Sequence, residues 1–385
     1  MEQLAVNMRQ FFGGEEFIPL HEPKFDEITA TYVQECVETG WVSTAGKFVG
    51  KFEQEAAAFV GAQFGVAVSS GTSALHLSLI VAGVSPGDEV ICPDITFVAS
   101  ANAISYVGAA PHFVDVNQHN MCIDVDKLAL YLAQITKIEN GKTINKNTGK
   151  PIAAILAVHA FGFSADVQKL QSLCSEYNIE LVEDAACAIG AKDSRGFIGA
   201  HSKFATFSFN GNKVITGGSG GLVLTNDEAV QQKIKHLSTT AKVSHKWEYI
   251  HDEVGYNYRM PNINAAILLS QLEALDDILA KKRQLVKNYK SIIANVPDID
   301  IVVEEDETLS NYWLICLRLS KSGFDARDSL LKLLNDRNMM ARPLWRPISD
   351  LAPFAQSARS DLSQSKRLYE QIINVPSSPH LAKLV

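Results

Sequence analysis

Short apolar segments alternate with longer stretches of helical periodicity through about residue 240 of the sequence. This alternation is typical of βαβ units built around a largely parallel sheet. Strands are expected at 65–69, 89–92, 111–115, 152–158, 179–183, 204–208 and 221–225. Helices are expected at 26–39, 47–60, 72–83, 97–107, 125–135, 166–177 and 227–237. The pattern therefore predicts an α/β fold with one wide sheet of seven strands.

The pattern of expected helices and strands changes after Pro261. A long helix is expected over roughly 262–295, followed by a strand in NYWLICLRL (311–319) and another helix at 325–337. A chain of 385 residues exceeds the size at which a single hydrophobic core usually stops growing. We therefore expect a large domain over 1–261 and a smaller C-terminal α+β domain over 262–385. The polar stretch 137–151, with Asn-Gly and Thr-Gly turn signals, predicts an exposed hairpin insertion.

Composition excludes several classes of protein. Hydrophobic residues make up 46% and charged residues 20% of the chain, which is typical of a globular protein and not of a disordered one. The formal charge of -8 argues against broad binding to nucleic acid or to acidic lipid. No signal-peptide pattern opens the chain, and no apolar run is long enough to span a membrane. The six cysteines lack metal-ligand spacing, so we expect reduced thiols, no bound metal and a cytoplasmic location.

Candidate ligand-binding residues fall at the ends of predicted strands, where ligands collect in open α/β sheets. The segment Ser70-Gly71-Thr72-Ser73 follows the strand 65–69 and opens a helix. The free backbone N–H groups of Thr72 and Ser73, aided by the helix dipole, suit a phosphate. The same four residues also suit an ordinary helix cap, so this signal is weak by itself.

Asp184 and Lys213 are the most informative pair. Asp184 ends the strand 179–183, where a carboxylate among small and apolar residues can pair with a protonated ring nitrogen. Lys213 follows the small polar residues Ser208 and Asn210, which could bind a phosphate while the lysine forms a Schiff base. An N-cap aspartate and a surface lysine are the ordinary alternatives. Because one predicted strand separates the two residues and returns to the same sheet end, the pair favours pyridoxal-phosphate (PLP) chemistry.

Two further segments admit alternative interpretations. The loop Gly255–Pro261 is either a binding loop or a packed aromatic turn before the long helix. The segment Gly217–Gly221 matches the G-x-S-x-G pattern of hydrolase nucleophile elbows. That elbow must lead from a strand into a helix, whereas a strand is expected at 221–225. A serine hydrolase is therefore disfavoured.

At these segments the sequence resembles the sugar aminotransferases of the DegT/DnrJ/EryC1/StrS family, a branch of the fold-type I PLP enzymes. The similarity extends along nearly the whole chain and is carried by GWVSTAGKFVGKFE (40–53), SGTSALH, PGDEV, DITFVASANAI, VHAFG, EDAA, SFNGNK and GYNYRMPNINAA. It implies a three-layer α/β/α large domain with a mainly parallel sheet. The segments SFNGNK and SNYWL and the insertion at 137–151 resemble the subgroup that makes the 4-amino-sugar precursor of legionaminic acid.

The resemblance implies a role for each candidate residue. Lys213 would carry PLP covalently and transfer protons, and Asp184 would pair with the ring nitrogen. Four polar residues would bind the phosphate of the cofactor, namely Thr72, Ser73, Ser208 and Asn210. Phe97 would stack on the pyridine ring.

The resemblance also implies roles for three further residues. Asn257 would reach the phosphate of a neighbouring subunit, which implies a homodimer with shared active sites. His159 would lie near Asp184 and the ring, although a buried histidine with satisfied hydrogen bonds is the alternative. Cys187 stands where many relatives carry Gln or Glu near the phenolic oxygen of the cofactor, and a thiol is a poorer hydrogen-bond partner.

The implied reaction is amino transfer from glutamate to a nucleotide-linked 4-keto-6-deoxy sugar, with pyridoxamine phosphate as the intermediate form of the cofactor. The expected substrate is UDP-2-acetamido-2,6-dideoxy-4-keto-hexose, for surface-glycan or legionaminic acid biosynthesis. The alternatives are a 3-keto sugar, a GDP- or dTDP-linked sugar of the perosamine type, a sugar dehydratase and a regulatory homologue. In the dehydratase branch a histidine replaces the lysine, which Lys213 speaks against. Candidate sugar contacts are Trp41, His245, Trp247, Trp345 and Arg346.

Overall fold

The computed structural model describes residues 1–321 and 323–383. The helices of this part of the chain are α1 (Glu2–Phe12), α2 (Glu27–Thr39), α3 (Lys47–Val60), α4 (Gly71–Val81), α5 (Val98–Tyr106), α6 (Val125–Ile135), α7 (Val167–Tyr177), α8 (Glu228–Ser238), α9 (Asn262–Glu273), α10 (Leu275–Ile293), α11 (Phe324–Asp336) and α12 (Ser363–Gln371). Within this part of the chain, no helix is both long enough and apolar enough to cross a bilayer.

The strands are β1 (Phe64–Val68), β2 (Glu89–Pro93), β3 (Ala110–Val114), β4 (Thr136–Glu139), β5 (Lys142–Asn145), β6 (Ile152–Val158), β7 (Glu180–Asp184), β8 (Lys192–Asp193), β9 (Gly196–Phe197), β10 (Ala205–Ser208), β11 (Gly221–Thr225), β12 (Lys242–Val243), β13 (Ile250–His251), β14 (Ile299–Ile301), β15 (Ile315–Leu319), β16 (Arg342–Pro343) and β17 (Ile372–Val375). Seven of them form the central sheet, in the order β1-β11-β10-β7-β6-β2-β3. The central sheet is mainly parallel, because only β11 runs antiparallel to its neighbours β1 and β10. The predicted seven-stranded α/β sheet is confirmed.

Both faces of the central sheet are buried, which explains why its strands read as continuous apolar runs. In β6, Ala154 and Leu156 join the core under α4, α5 and α8. The alternate residues Ile155 and Ala157 join the core under α3, α6, α7 and α9. This two-residue periodicity places one layer of helices on each face. The result is the three-layer α/β/α architecture that the family resemblance implied.

The C-terminal part contains a second, four-stranded antiparallel sheet in the order β14-β15-β17-β16, called here the C-terminal sheet. The helix predicted over 262–295 is wrong as a single element, because α9 ends at Glu273 and α10 begins at Leu275. The two helices pack on different partners, α9 on α2 and α3 and α10 on β14 and α1. The predicted strand 311–319 is shorter, because Tyr312 takes a positive φ of 47° before β15 begins.

The N-terminal segment contacts the C-terminal part of the chain. Helix α1 packs against α10 and α11, and Ile18 forms a backbone bridge with Met339. Neither α1 nor α12 was predicted. The division into domains at residue 261 stays a proposal.

The predicted hairpin insertion is present as β4 and β5, which are joined at Asn140 and Gly141. Both turn residues have positive φ, 52° and 76°, as the commonest two-residue hairpin turn requires.

Candidate active site

A cavity of about 560 Å³ opens where β7 and β10 end, at the start of α4 and beside β16. Its walls include seven residues that the sequence singled out for cofactor binding, namely Thr72, Phe97, Asp184, Cys187, Ser208, Asn210 and Lys213. Ser73, His159 and Asn257 do not line it. The cavity lies outside the carboxyl ends of the parallel strands, as expected for a ligand site in an open α/β sheet.

Lys213 lies in the loop after β10 and points into the cavity. Its Nζ is 3.3 Å from the Sγ of Cys187 and 3.8 Å from the ring centre of Trp313. The lysine side chain is buried. An aromatic face attracts an ammonium group, especially when both are shielded from water. The amine is therefore held between a neutral thiol and an indole ring and is not free on the surface.

Asp184 ends β7 and is buried. One carboxylate oxygen accepts a hydrogen bond of 2.7 Å from the Ser100 hydroxyl, and the other accepts one of 3.1 Å from the Ala186 N–H. Burial raises the pKa of Asp184, and the hydrogen bonds from Ser100 and Ala186 and the charge of Lys213 oppose that rise. Ser100 in turn lies 2.7 Å from the hydroxyl of Thr96. These contacts fix the orientation of the carboxylate and favour its ionised form.

The start of α4 approaches the end of β10 closely. A Cβ on Gly71 would lie only 2.6 Å from the Cβ of Ser208, so glycine is required for this approach. Thr72, Ser208 and Asn210 consequently line the same end of the cavity. The positive end of the helix dipole and these donors form a site that suits a phosphate.

Ser73 contributes to the helix cap. Its backbone N–H donates to the Ser70 hydroxyl at 3.1 Å, and its own hydroxyl lies 2.9 Å from the same oxygen. Ser73 does not line the cavity, and its predicted contact with a phosphate stays a prediction.

His159 is fully buried beneath the cavity. Its Nδ1 accepts a hydrogen bond of 3.2 Å from the Ala165 N–H, which leaves the proton on Nε2, 3.1 Å from a Glu183 carboxylate oxygen. Its backbone N–H donates to the carbonyl of Asp184 at 3.0 Å. Both ring nitrogens are thus satisfied within the fold, in keeping with the alternative of a core histidine. A contact with the cofactor ring stays a prediction.

A segment before β15 holds the two loops that carry Cys187 and Lys213. The amide nitrogen of Asn311 donates to the carbonyls of Cys187 at 2.9 Å and Ile189 at 2.8 Å. The indole nitrogen of Trp313 donates to the carbonyl of Asn212 at 2.6 Å. Burial raises the pKa of the Cys187 thiol. The SNYWL motif is visible in the sequence, but these contacts join it to loops 124 and 101 residues away, so the sequence alone does not predict the roles of Asn311 and Trp313.

Aromatic rings line the mouth of the cavity. Phe97 is 58% exposed, and its ring centre is 6.4 Å from that of Trp345. Trp345 stacks on the buried ring of Phe161 at 4.0 Å. Arg342 is exposed and also lines the cavity. The mouth therefore offers aromatic faces and a positive charge to a ligand.

The other candidate sugar contacts lie elsewhere. Arg346 is exposed next to Trp345 in the chain but does not line the cavity. Trp41, His245 and Trp247 are exposed and also lie outside its walls. Asn257 is exposed, and its backbone bridges to Thr239.

The hydrolase alternative fails on local structure. The segment Gly217–Gly221 leads into the strand β11 and not into a helix. The Ser219 hydroxyl donates to the backbone carbonyl of Ser69 at 2.7 Å. Ser219 therefore closes a loop and lacks the elbow that a serine nucleophile needs.

A lysine amine and a buried carboxylate at neighbouring strand ends, beside a helix N-terminus suited to a phosphate, define a fold-type I PLP-dependent aminotransferase. The model of the DegT/DnrJ/EryC1/StrS aminotransferase family matches residues 23–384. The chain therefore belongs to this family, whose members are PLP-dependent sugar aminotransferases.

Individual relatives agree with this assignment. GDP-perosamine synthase of Vibrio cholerae is 36% identical over 365 residues, which cover 94% of this chain and 95% of that protein. GDP-perosamine synthase of Escherichia coli O157:H7 is 34% identical and covers 95% of each chain. The crystal structure of DesV from S. venezuelae is 28% identical, covers 94% of each chain and has a TM-score of 0.81. The similarity therefore extends over the whole central sheet and the C-terminal part of the chain.

Proposed function

We propose that this protein transfers the amino group of glutamate to the keto carbon of a nucleotide-linked 4-keto-6-deoxy sugar. The observation that carries the proposal is the pairing of Lys213 and Asp184 in one cavity. Strands β7 and β10 are parallel neighbours, with Asp184 opposite Thr206, so both side chains emerge at the same sheet edge. When bound there, PLP supplies an aldehyde and an electron-withdrawing ring.

The residues of the cavity fit this cofactor. Thr72, Ser208 and Asn210 would hold its phosphate at the start of α4. Asp184 would pair with the ring nitrogen, and Phe97 would cover a ring face. Ser73 and His159 would contact the cofactor from beside the cavity, and Asn257 would contact its phosphate from the partner subunit.

Proton transfer is proposed for the Lys213 amine. Its Nζ takes a proton from the α-carbon of glutamate and returns one to the sugar carbon that receives the amine. The contacts of the amine with Trp313 and Cys187 limit its orientations. The hydrogen bond that Ser100 donates to the Asp184 carboxylate opposes the rise in its pKa that burial causes. The dehydratase alternative is disfavoured because it requires a residue other than lysine at this position.

The sugar substrate is proposed to be GDP-linked and of the perosamine type. Two relatives that cover almost the whole chain are named GDP-perosamine synthase, which favours this alternative over the UDP-linked legionaminic acid precursor. At the mouth of the cavity, Arg342 offers a cation for a diphosphate and Trp345 a flat face for the sugar. The UDP-linked sugar remains the second candidate, on the strength of SNYWL and the 137–151 hairpin.

A direct assay separates the candidates. The purified protein is incubated with glutamate and, in parallel, with GDP-4-keto-6-deoxymannose, UDP-2-acetamido-2,6-dideoxy-4-keto-hexose and dTDP-4-keto-6-deoxyglucose. Mass spectrometry should detect the amino sugar most efficiently from the GDP-linked substrate. Preference for the UDP-linked sugar would restore the legionaminic acid assignment. Absence of amine formation from every keto sugar would overturn the proposed function.

The proposal includes a homodimer with shared active sites. Asn257 is exposed beside a loop whose apolar side chains Trp247, Tyr249 and Val254 are also strongly exposed. Such a patch is typical of a protein interface. The proposed compartment is the cytoplasm, where the cysteines, all of them unpaired in the structure, would stay reduced.

A further inference from the structure

Lys282 is a buried lysine outside the cavity. It lies on α10 and is only 1% exposed. Its Nζ donates to the carbonyl of Ser377 at 2.8 Å and to the carbonyl of Trp313 at 3.2 Å. Among the residues that the structure describes, no carboxylate lies within ion-pair distance of it. The amine is therefore bound to two backbone carbonyls and to no counter-charge.

Burial of the Lys282 amine carries a desolvation cost that an apolar side chain would not have. Burial lowers the pKa of Lys282 to about 7, because the charged form is poorly solvated there. The charge of Lys282 also acts on the buried His21, because burial and this charge hold the pKa of His21 well below its usual value. A methionine of similar length would fill the same space without a buried amine. The lysine is thus distinguished by the two hydrogen bonds that it donates.

One of those bonds ends on a wall of the active site. The carbonyl of Trp313 is bound by Lys282, and the indole nitrogen of the same residue donates to the carbonyl of Asn212 at 2.6 Å. The indole ring between these two attachments lies 3.8 Å from the Nζ of Lys213. A continuous chain of contacts therefore runs from Lys282 through Trp313 to Lys213.

We propose that Lys282 is a positioning residue, which holds the Trp313 indole against the Lys213 amine and so limits the orientations of that amine. The inference rests on the proposed function, because it takes Lys213 as the reacting amine. Lys282 does not line the cavity and so does not contact a substrate there. Its loss should slow steps in which the Lys213 amine acts, while the binding of glutamate changes little.

The test compares Lys282→Met with Lys281→Met. Lys281 is the adjacent residue on α10, where it is exposed and pairs with Asp277. Two rates are measured by absorbance, namely the formation of the covalent imine when PLP is added to apoprotein and the single-turnover reaction of loaded protein with glutamate. In Lys282→Met both rates should fall on the order of 10-fold to 100-fold, with the glutamate concentration for half-maximal rate within about twofold of wild type. Lys281→Met should match wild type.

A double-mutant cycle with Trp313→Phe asks whether the effect passes through the indole. If Lys282 acts through Trp313, the loss caused by Lys282→Met should be much smaller in the Trp313→Phe background than in wild type. Lys282→Gln, which keeps an uncharged N–H donor, should fall between wild type and Lys282→Met and replaces it if the methionine variant does not fold. Circular dichroism confirms folding of each variant.

The two proposals fail in different ways. A wild-type protein that neither forms the imine nor reacts with glutamate would overturn the proposed function. A wild-type protein that does both, while the folded Lys282 variants react at the same rates, overturns the positioning role alone. Equal losses in the wild-type and Trp313→Phe backgrounds also contradict it, because the effect would then not require the indole.

Discussion

The Nζ of Lys213 lies 3.3 Å from the Sγ of Cys187 and is closed off on another side by the Trp313 ring. Burial raises the pKa of the thiol, so Cys187 stays protonated at neutral pH and offers the amine no negative charge. The carboxylate of Asp184, which ends the neighbouring strand, accepts hydrogen bonds from Ser100 and Ala186 that favour its ionised form. The lysine and the aspartate thus occupy different electrostatic surroundings at one sheet edge.

Lys213→Ala should abolish amino transfer and remove the imine absorbance of the bound cofactor, because Lys213 is the lysine that lines the cavity in the part of the chain that the structure describes. Borohydride reduction of wild-type protein, followed by peptide mass spectrometry, should find the cofactor on the peptide that contains Lys213. Lys203→Ala, which changes an exposed lysine before β10, is the control and should retain activity. A label on any other lysine would falsify the assignment.

Asp184→Asn should retain PLP but lower turnover on the order of 100-fold or more, because an amide supplies no negative charge to the ring nitrogen. Cofactor content is measured by absorbance after denaturation, and turnover by single-turnover kinetics with glutamate. Near wild-type turnover in a variant with full cofactor content would show that the carboxylate has another role.

Ser100→Ala should shift the acidic limb of the pH–rate profile to higher pH. The Ser100 hydroxyl donates to Asp184 and lowers the pKa of that carboxyl, so its loss raises this pKa, and protonation then begins at a higher pH. Ser105→Ala is the matched control on the same helix, because the Ser105 hydroxyl binds only the carbonyl of Ala101. An unshifted limb in Ser100→Ala would mean that Asp184 does not set it.

Lys282→Met should change the pH dependence of stability. The folded-state pKa of Lys282 is about 7, below its unfolded value, so the unfolded chain binds more protons between that pH and about 10. The free energy of unfolding of the wild type therefore rises with pH across this range. Below the range, the buried charge of Lys282 destabilises the folded state most. The free energy of unfolding of Lys282→Met minus that of wild type should fall between pH 6.5 and 10 in urea titrations. A constant difference would contradict the lowered pKa.

Mixing two inactive variants tests the shared active site. Lys213→Ala chains and chains with the disruptive change Asn257→Trp should form heterodimers in which one site has both wild-type residues. Part of the activity should then return after subunit exchange, which is followed by native mass spectrometry. Confirmed exchange without any return of activity would place Asn257 in the site of its own subunit.

The central sheet and the cavity residues of its strand ends could be predicted because their signals are local. The apolar run of β6 and the small polar residues around Lys213 are visible in residues that are adjacent in the sequence. Helix α1 also has a local signal in the helical spacing of Leu4, Ala5 and Met8, all of them buried. The break between α9 and α10 at Ala274 could not be predicted, because it depends on the different elements against which the two helices pack.

The contacts of Trp313 and Asn311 were beyond sequence reasoning for a different reason. Both residues act on loops that are distant in the chain, at Asn212 and at Cys187. No periodicity relates such positions, and only the tertiary structure brings them together. Ser100 could be predicted only in part, because the sequence predicts its helix but not its hydrogen bond to Asp184.

The late position of the segment around Trp313 has a consequence for synthesis of the protein. Lys213 and Asp184 leave the ribosome well before Asn311, Trp313 and Arg342, and Asn374, which also lines the cavity, follows later still. A nascent chain can form most of the central sheet while the wall over Lys213 is missing. The cavity therefore has all of its walls only after the C-terminal sheet has been synthesised and has folded against the central sheet.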